Sequence, residues 1–437
     1  MSAVTNTEPN AAPSSAAGSA PRGRLLALGA VWLATRALML VLLAHSGSPD
    51  LGWGGVTREV WHLYHHWYEV LSDGAFPADD PRWQYPPGAG PVLLSPALLP
   101  WLTYFEAFVA LTLAADAVIA LALARAGTRP GGRSLRGAAL WICGLPLLLH
   151  VPLARYDVQV TAFAVISLLT LSRFPRAGGV FAALGALVKG WPVLVLLGTP
   201  KGRHTRSAWT WAAVAGASAL VLLSALFTTP QAFLRQQGGR GVQIESLGGT
   251  VLGLATHTGW PGRVRYRYGA LEFTGPGVRA VADVSLALTA VAFALLLLWR
   301  VRARHRTPAT PYDAALSAVL LFTVTSRVIS PQYMIWLLGM AAVCLTSRYT
   351  TQRPVAALIV AATVVSAIVY PVLYSEVKAC TWTGSTLMLV RNGLLAAAAA
   401  LSFTRLWRST CRAPEPPVPA SAPEPGPDRC RGALSVP

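Results

Sequence analysis

Acidic side chains are scarce in this sequence: 18 Asp and Glu stand against 36 Lys and Arg, and only 12% of the 437 residues are charged. So few charges cannot clothe a soluble chain of this length, which excludes a water-soluble multi-domain protein. The five cysteines, Cys143, Cys344, Cys380, Cys411 and Cys430, have neither paired nor metal-type spacing and give no support to a disulfide framework or a zinc site. Walker motifs, dinucleotide fingerprints and metalloprotease helices are missing. No sequence repeat stands out, which weakens a transporter built from duplicated halves. A secretory signal is lacking as well: the first 21 residues are rich in Ala, Ser, Pro and Asn, and no small-residue cleavage pattern follows Leu25–Ala44. That run is therefore expected to be a retained first span.

What the chain has instead is apolar length. It is 54% hydrophobic, with a mean hydropathy of +0.48. The runs Leu25–Ala44, Trp209–Phe227, Val284–Trp299 and Val355–Tyr370 each approach the roughly 20 residues that a helix needs to cross hydrocarbon. The expected fold class is an all-α polytopic membrane protein.

The net charge of +18 lies in short Arg clusters between apolar runs, a distribution that speaks for membrane topology and against a nucleic-acid partner. Arg22 and Arg24, the cluster from Arg125 to Arg136, Lys201 to Arg206, Arg300 to Arg306, Arg348 with Arg353, and Arg405 to Arg412 are expected on the cytoplasmic side. Two long outer loops remain, 45–88 and 228–280. Pro91–Pro100 is too short to cross and is predicted to be a partial helix ahead of a true span at 103–124. Gly178–Gly198 has basic flanks at both ends and Lys189 at its middle. A re-entrant hairpin with its tip at Lys189–Pro192 satisfies both flanks, provided that protein or a cavity surrounds its irregular backbone. The Pro-, Ala- and Ser-rich tails, 1–21 and 413–437, are expected to be disordered and cytoplasmic around a membrane domain of 22–412.

The first outer loop contains EVWHLYHHWYEVLSD, Glu59 to Asp73. At about 100° per residue, Val60, Tyr64, Trp67 and Leu71 share one face, while Glu59, His62, His66, Glu69 and Asp73 form a polar stripe. An amphipathic helix at the membrane interface is the expectation, and water facing the stripe is the plain reading of Glu69 and Asp73. Glu59, which opens the helix, is a candidate proton acceptor. His62 and His66 are spaced for a metal, but one helix face cannot surround an ion, so neither metal nor cofactor is expected. Downstream, Asp79 and Asp80 precede Trp83-Gln84-Tyr85-Pro86-Pro87, where two prolines impose an extended entry and turn the loop back toward the partial helix.

In this order, E-V-x-x-L-Y-x-x-W-Y-x-V-L, G-x-F-P-x-x-D and W-Q-Y-P-P resemble glycosyltransferase family 87 of the GT-C superfamily. Ala154-Arg155-Tyr156-Asp157, Leu187 to Pro192, Arg240 to Leu247 and Ser326 to Tyr333 are similar to an actinobacterial branch of that family. The likeness runs from about Arg24 to Arg408. It implies a GT-C-like bundle of ten to twelve transmembrane helices that moves a sugar, usually mannose, from a polyprenyl phosphate donor to a lipid or glycan acceptor. The transfer is expected outside the cell membrane, with inversion, and with membrane lipids as the other partners. The family's first-loop general base is an Asp, and this sequence has Glu59 at the corresponding place.

Transfer from a lipid phosphate needs a base, cations for the leaving phosphate and a pocket that excludes water. Arg36, inside the first span, and Lys189 are costly charges that mark candidate sites. Arg155, Arg240 and Arg327 join them as expected phosphate ligands. A simple pair between Arg155 and Asp157 is the alternative for that residue. The expected pocket comprises His62, His66, Asp80, Trp83, Gln84 and Tyr85, with Glu245, Gln332 and Tyr333 from the later motifs. An interfacial aromatic belt is the other reading of Trp83. A transporter or flippase of a lipid-linked sugar would use the same basic cavity without a base, and an inactive scaffold would use neither.

Overall fold

The computed structural model describes residues 19–46, 55–131, 133–231, 233–236 and 240–411. Residues 1–18 of the expected N-tail, the whole expected C-tail 413–437 and residues 47–54 of the first loop lie outside them. The chain is an all-α membrane protein, since helices satisfy every backbone group internally where no water can. The first helix, Ser19–His45, begins inside the segment expected to be a tail.

Among the described residues, six helices are long and apolar enough to cross a bilayer: Arg22–His45, Tyr104–Gly127, Arg203–Leu226, Val278–Arg302, Arg353–Val372 and Trp382–Cys411. This is fewer than the expected ten to twelve spans. The remaining apolar runs form shorter helices, among them Arg136–Leu148, Asp157–Leu171, Pro175–Val188 and Tyr333–Leu345. Prolines explain the difference: Pro146 and Pro192 turn helices into 3-10 segments, and Pro175 and Pro331 lie at helix starts.

Length separates two layers. The short helices Thr310–Thr325 and Tyr333–Leu345 are buried along nearly their whole length. The long ones expose Leu33 (63%), Val221 (69%) and Leu286 (65%), a surface suited to lipid rather than water.

Both irregular entries have the expected form. Ala89–Leu98 is a partial helix that ends in a 3-10 turn. Thr103 then restarts the chain with a capping box: the Glu106 amide donates to its hydroxyl at 3.3 Å, and its own amide donates to the Glu106 carboxylate at 3.0 Å. Helix Pro175–Val188 stops at Lys189, which is extended (φ −149°, ψ 127°), and the chain returns through the 3-10 segment Trp191–Gly198. The two arms pack so closely that a Cβ on Gly185 would lie 3.0 Å from Pro192 Cβ.

Each long loop brings its own structure. Residues 55–72 are helical, with Val60, Tyr64, Trp67 and Leu71 buried on the predicted face and Val56 buried ahead of them. The stretch Glu59–Tyr64 is wound as a π-helix, a form that recurs at functional sites and that re-aims the polar stripe. The second loop folds a small antiparallel sheet of order β1-β3-β2: β1 is Val242–Gln243, β2 Arg263–Arg267 and β3 Ala270–Thr274. Its hairpin turns on Tyr268 (φ 50°) and Gly269 (φ 75°), the pair of left-handed residues that a tight hairpin needs. The loops are tied by a parallel bridge, with the Phe76 amide donating to Thr228 O at 3.1 Å and the Thr228 amide to Gly74 O at 3.0 Å.

Arg36, an expected phosphate ligand, is built into this framework and does not line the cavity described below. Its Nε and Nη2 donate to the Asp116 carboxylate at 2.8 and 2.7 Å, and its Nη1 donates to Ile142 O at 2.6 Å. Asp116 also accepts the indole N–H groups of Trp32 and Trp141, each at 2.7 Å. The buried pair is fully partnered and clamps the first helix to two neighbours.

Candidate functional site

A cavity of about 530 Å³ opens between the two loops, walled by the 55–72 helix, the β-hairpin, Ser330 to Gln332, and the segment from Tyr370 to Lys378. It brings together five of the residues singled out in the sequence: Glu59, His62, Arg155, Glu245 and Gln332.

Glu59 and Arg155 form its central pair. The Arg155 Nη2 lies 2.7 Å from Glu59 Oε2, and the Tyr64 hydroxyl donates to Glu59 Oε1 at 3.2 Å. Arg155 is buried and donates in addition to the carbonyls of Val56 and Ala154 and to the Tyr370 hydroxyl. Burial works to lower its pKa, but Glu59 and the neighbouring tyrosines and Asp157 leave it raised above the ordinary arginine value. The alternative pairing with Asp157 is not formed, because Asp157 is taken by Lys189.

Glu245 is the second carboxylate of the cavity. It is 2% exposed, with Arg391 Nη2 3.4 Å from its Oε2. Arg391 and the Asn392 amide also donate to the Glu245 carbonyl, at 2.9 and 3.2 Å. Burial pushes the Glu245 carboxyl up to about 7, against the opposing pull of Arg391 and of a hydrogen bond from Tyr374.

The other expected phosphate ligands are committed elsewhere and do not line this cavity. Lys189 Nζ sits 2.6 Å from Asp157 Oδ1 and within 4.7, 5.1 and 5.8 Å of the ring centres of Tyr156, Trp336 and Tyr333. Arg240 Nε lies 3.8 Å from the buried Glu272, and Arg327 donates to the Arg240 carbonyl at 3.1 Å. The cations that do line the cavity are Arg58, Arg82 and Lys378 beside Arg155. Sequence reasoning missed the first three because each reads as an ordinary loop charge. Arg391 was legible: it is a charge in the middle of an apolar helix, the criterion that singled out Arg36.

The aromatic stretch Trp83-Gln84-Tyr85 does not line the cavity. Trp83 is fully buried, with ring centres of Trp67, Phe76 and Tyr85 at 5.3, 5.6 and 5.2 Å. Tyr85 meets Tyr64 and Tyr156 edge-on, and Tyr333 stacks on Trp336. Gln84 donates to Pro81 O at 2.7 Å. Asp80 holds Arg82 by a fork of 3.0 and 2.6 Å bonds, and that arginine keeps its carboxyl below the usual range. The π-helical turn splits the two histidines: His62 reaches the cavity, whereas His66 lies against Trp67 with ring centres 4.9 Å apart. Among the described residues, no three His, Cys, Asp or Glu gather as a metal would require.

The arrangement suits an anionic substrate beside a proton acceptor. Four cations line a cavity with two carboxylates, and neither Arg58 nor Lys378 forms an ion pair among the described residues. Neither a curated protein nor a solved structure matches the chain. A sequence profile of glycosyltransferase family 87 matches residues 83–331. The match begins at Trp83, after Glu59, and takes in Arg155, Lys189, Glu245 and Ser330. Because it spans more than half of a helical membrane protein, this chain belongs to glycosyltransferase family 87.

Proposed function

We propose that this membrane glycosyltransferase moves mannose from a polyprenyl phosphate to a lipid or glycan acceptor, with inversion, on the extracytoplasmic side of the cell membrane. The observation that carries the reading is the pairing of Glu59 with Arg155 at the wall of a cavity whose cations outnumber its carboxylates.

In the proposed reaction the acceptor hydroxyl gives its proton to Glu59, and its oxygen attacks the anomeric carbon. The bond from that carbon to the phosphate oxygen breaks, and polyprenyl phosphate leaves with the bonding pair. Arg155, with Arg58, Arg82 and Lys378, holds the charge that develops there, which is worth most in a site that excludes water. Tyr64 and Arg155 fix the Glu59 carboxylate and limit its motion, so the acceptor must come to it. The partners in this reading are the lipid donor, the lipid or glycan acceptor and membrane lipids.

One observation favours a second choice of base. Glu245 lines the same cavity, and its carboxyl is pushed up to about 7, near the value best matched to proton transfer at neutral pH.

Purified protein in proteoliposomes, given radiolabelled polyprenyl phosphate mannose and a membrane lipid extract, should release polyprenyl phosphate and label an acceptor. Movement of the labelled lipid across the bilayer without product would replace the transferase by a flippase.

A further inference from the structure

At the other end of the bundle, some 30 Å along the helix Val278–Arg302 from its cavity end by a rise of about 1.5 Å per residue, a second group of cations converges. The returning arm of the hairpin ends at Gly198, Gly202 turns the chain (φ +102°), and helix Arg203–Leu226 begins. Arg300 donates through Nη1 to Thr199 O and through Nη2 to Thr205 Oγ1 at 2.8 Å. Arg306 donates through one nitrogen to Thr199 O at 3.0 Å and to Gly198 O at 3.1 Å. Lys201 Nζ donates to Val301 O at 3.0 Å.

Three positive charges thus rest on neutral oxygens, and two guanidiniums share one carbonyl. Among the described residues, no ion pair includes Lys201, Arg300 or Arg306. The nearest acid in sequence, Asp313, is saturated by Thr350 and Thr351 at 2.5 to 3.0 Å. Arg306 Nη2 is buried and has no hydrogen-bond partner, and burial lowers the pKa of this side chain with no carboxylate to restore it. Loop arginines that only set topology would extend into water. Two half-buried arginines that converge beside an exposed lysine, with no acid among the described residues to pair them, call for an anion from outside the chain.

We propose that Lys201, Arg300 and Arg306 bind the phosphodiester of an anionic membrane lipid. Lipid is favoured over free phosphate because the same helix exposes Leu297 (59%) and Val301 (72%) next to the cluster, where acyl chains would lie. A phosphodiester supplies the two acceptor oxygens that two guanidinium forks need, and its tails remain in hydrocarbon. The bound lipid would pin the returning arm of the hairpin whose tip carries Lys189.

The test uses the full-length protein in nanodiscs of phosphatidylcholine, with or without phosphatidylglycerol, read by native mass spectrometry and by thermal unfolding. Wild type should retain phosphatidylglycerol and unfold at a higher temperature in its presence. R300Q/R306Q should lose the adduct by roughly tenfold or more and lose the temperature difference, whereas R302Q, one of the exposed basic residues on that helix end, should keep both. Equal retention in wild type and R300Q/R306Q overturns the proposal. So does inorganic phosphate that reproduces the thermal shift in phosphatidylcholine alone, since the site would then take a free anion. If R300Q/R306Q does not fold, wild type decides: no rise with phosphatidylglycerol sinks the site.

Discussion

Arg155 holds Glu59 by a 2.7 Å contact that joins residues 96 positions apart, one from the first loop and one from just before helix Asp157–Leu171. The carboxylate that the reaction would use as a base is thereby oriented by the cation that would face the leaving phosphate. Such a unit responds to changes in charge and to changes in reach in different ways.

Glu59→Gln keeps the size and removes the basicity. Turnover should fall by roughly 10²- to 10⁴-fold, with donor affinity largely kept. Glu59→Asp should retain part of the activity. Near-normal transfer by E59Q would pass the role of base to Glu245.

Glu245 gives a pH signature. Its carboxyl is raised to about 7 in the folded protein. Between the unfolded value of about 4.5 and about 7, the folded state binds a proton that the unfolded state has lost, so stability should fall as pH rises through that window. E245Q should flatten this slope in thermal unfolding. If Glu245 is the base, kcat/KM should rise with pH through about 7 in wild type, and that limb should vanish in E245Q.

Lys189 should behave as a structural cation. K189A leaves Asp157 buried without its charge partner, a loss of about 3–5 kcal/mol by analogy with other buried pairs. The double variant D157N/K189M should recover most of that stability, as measured by thermal unfolding in detergent. Recovery of donor binding along with stability would separate Lys189 from the phosphate. Lost donor affinity in a well-folded D157N/K189M protein would return it to the site.

R58Q and K378Q concern cations at the cavity that have no carboxylate partner among the described residues. Each should weaken donor binding by several-fold without a change in unfolding temperature, as measured by titration with polyprenyl phosphate. Unchanged affinity in both would leave the leaving group to Arg155 and Arg82.

The placement of the cavity can be tested directly. An impermeant maleimide on intact cells should label T258C but not R304C, in a background without the five native cysteines. The reverse pattern would put the cavity on the cytoplasmic side.

Helical periodicity was a sound guide wherever a residue's neighbours lie within a few turns. Val60, Tyr64, Trp67 and Leu71 are buried as their spacing requires, and the break at Lys189 follows from flanking charge and proline. Partnership across the fold was less legible. Arg36 and Lys189 are as costly to bury as phosphate ligands would be, and only the positions of Asp116 and Asp157 reveal that their charges are already met. The small sheet was hidden by the dominant helical composition, although RVRYRYGALEFT alternates around a Tyr-Gly turn. Trp83 has the residue type of a sugar platform but is enclosed by three other rings. Its type alone could not separate the two outcomes.

The Arg391 contact to Glu245 has a consequence for how the protein is made. Ribosomes deliver the chain from its N-terminus, and helix Trp382–Cys411, which carries this arginine, is the last described element to leave the translocon. Until it docks, Glu245 faces the cavity without its counter-charge, and Asn392 is not yet in place to hold the Glu245 and Ser246 carbonyls. A chain stopped before Arg391 would contain the whole family-matched span but not a finished second loop. Completion of the wall around Glu245 therefore waits on the last described helix, and a chain truncated before Arg391 should insert but lack these contacts.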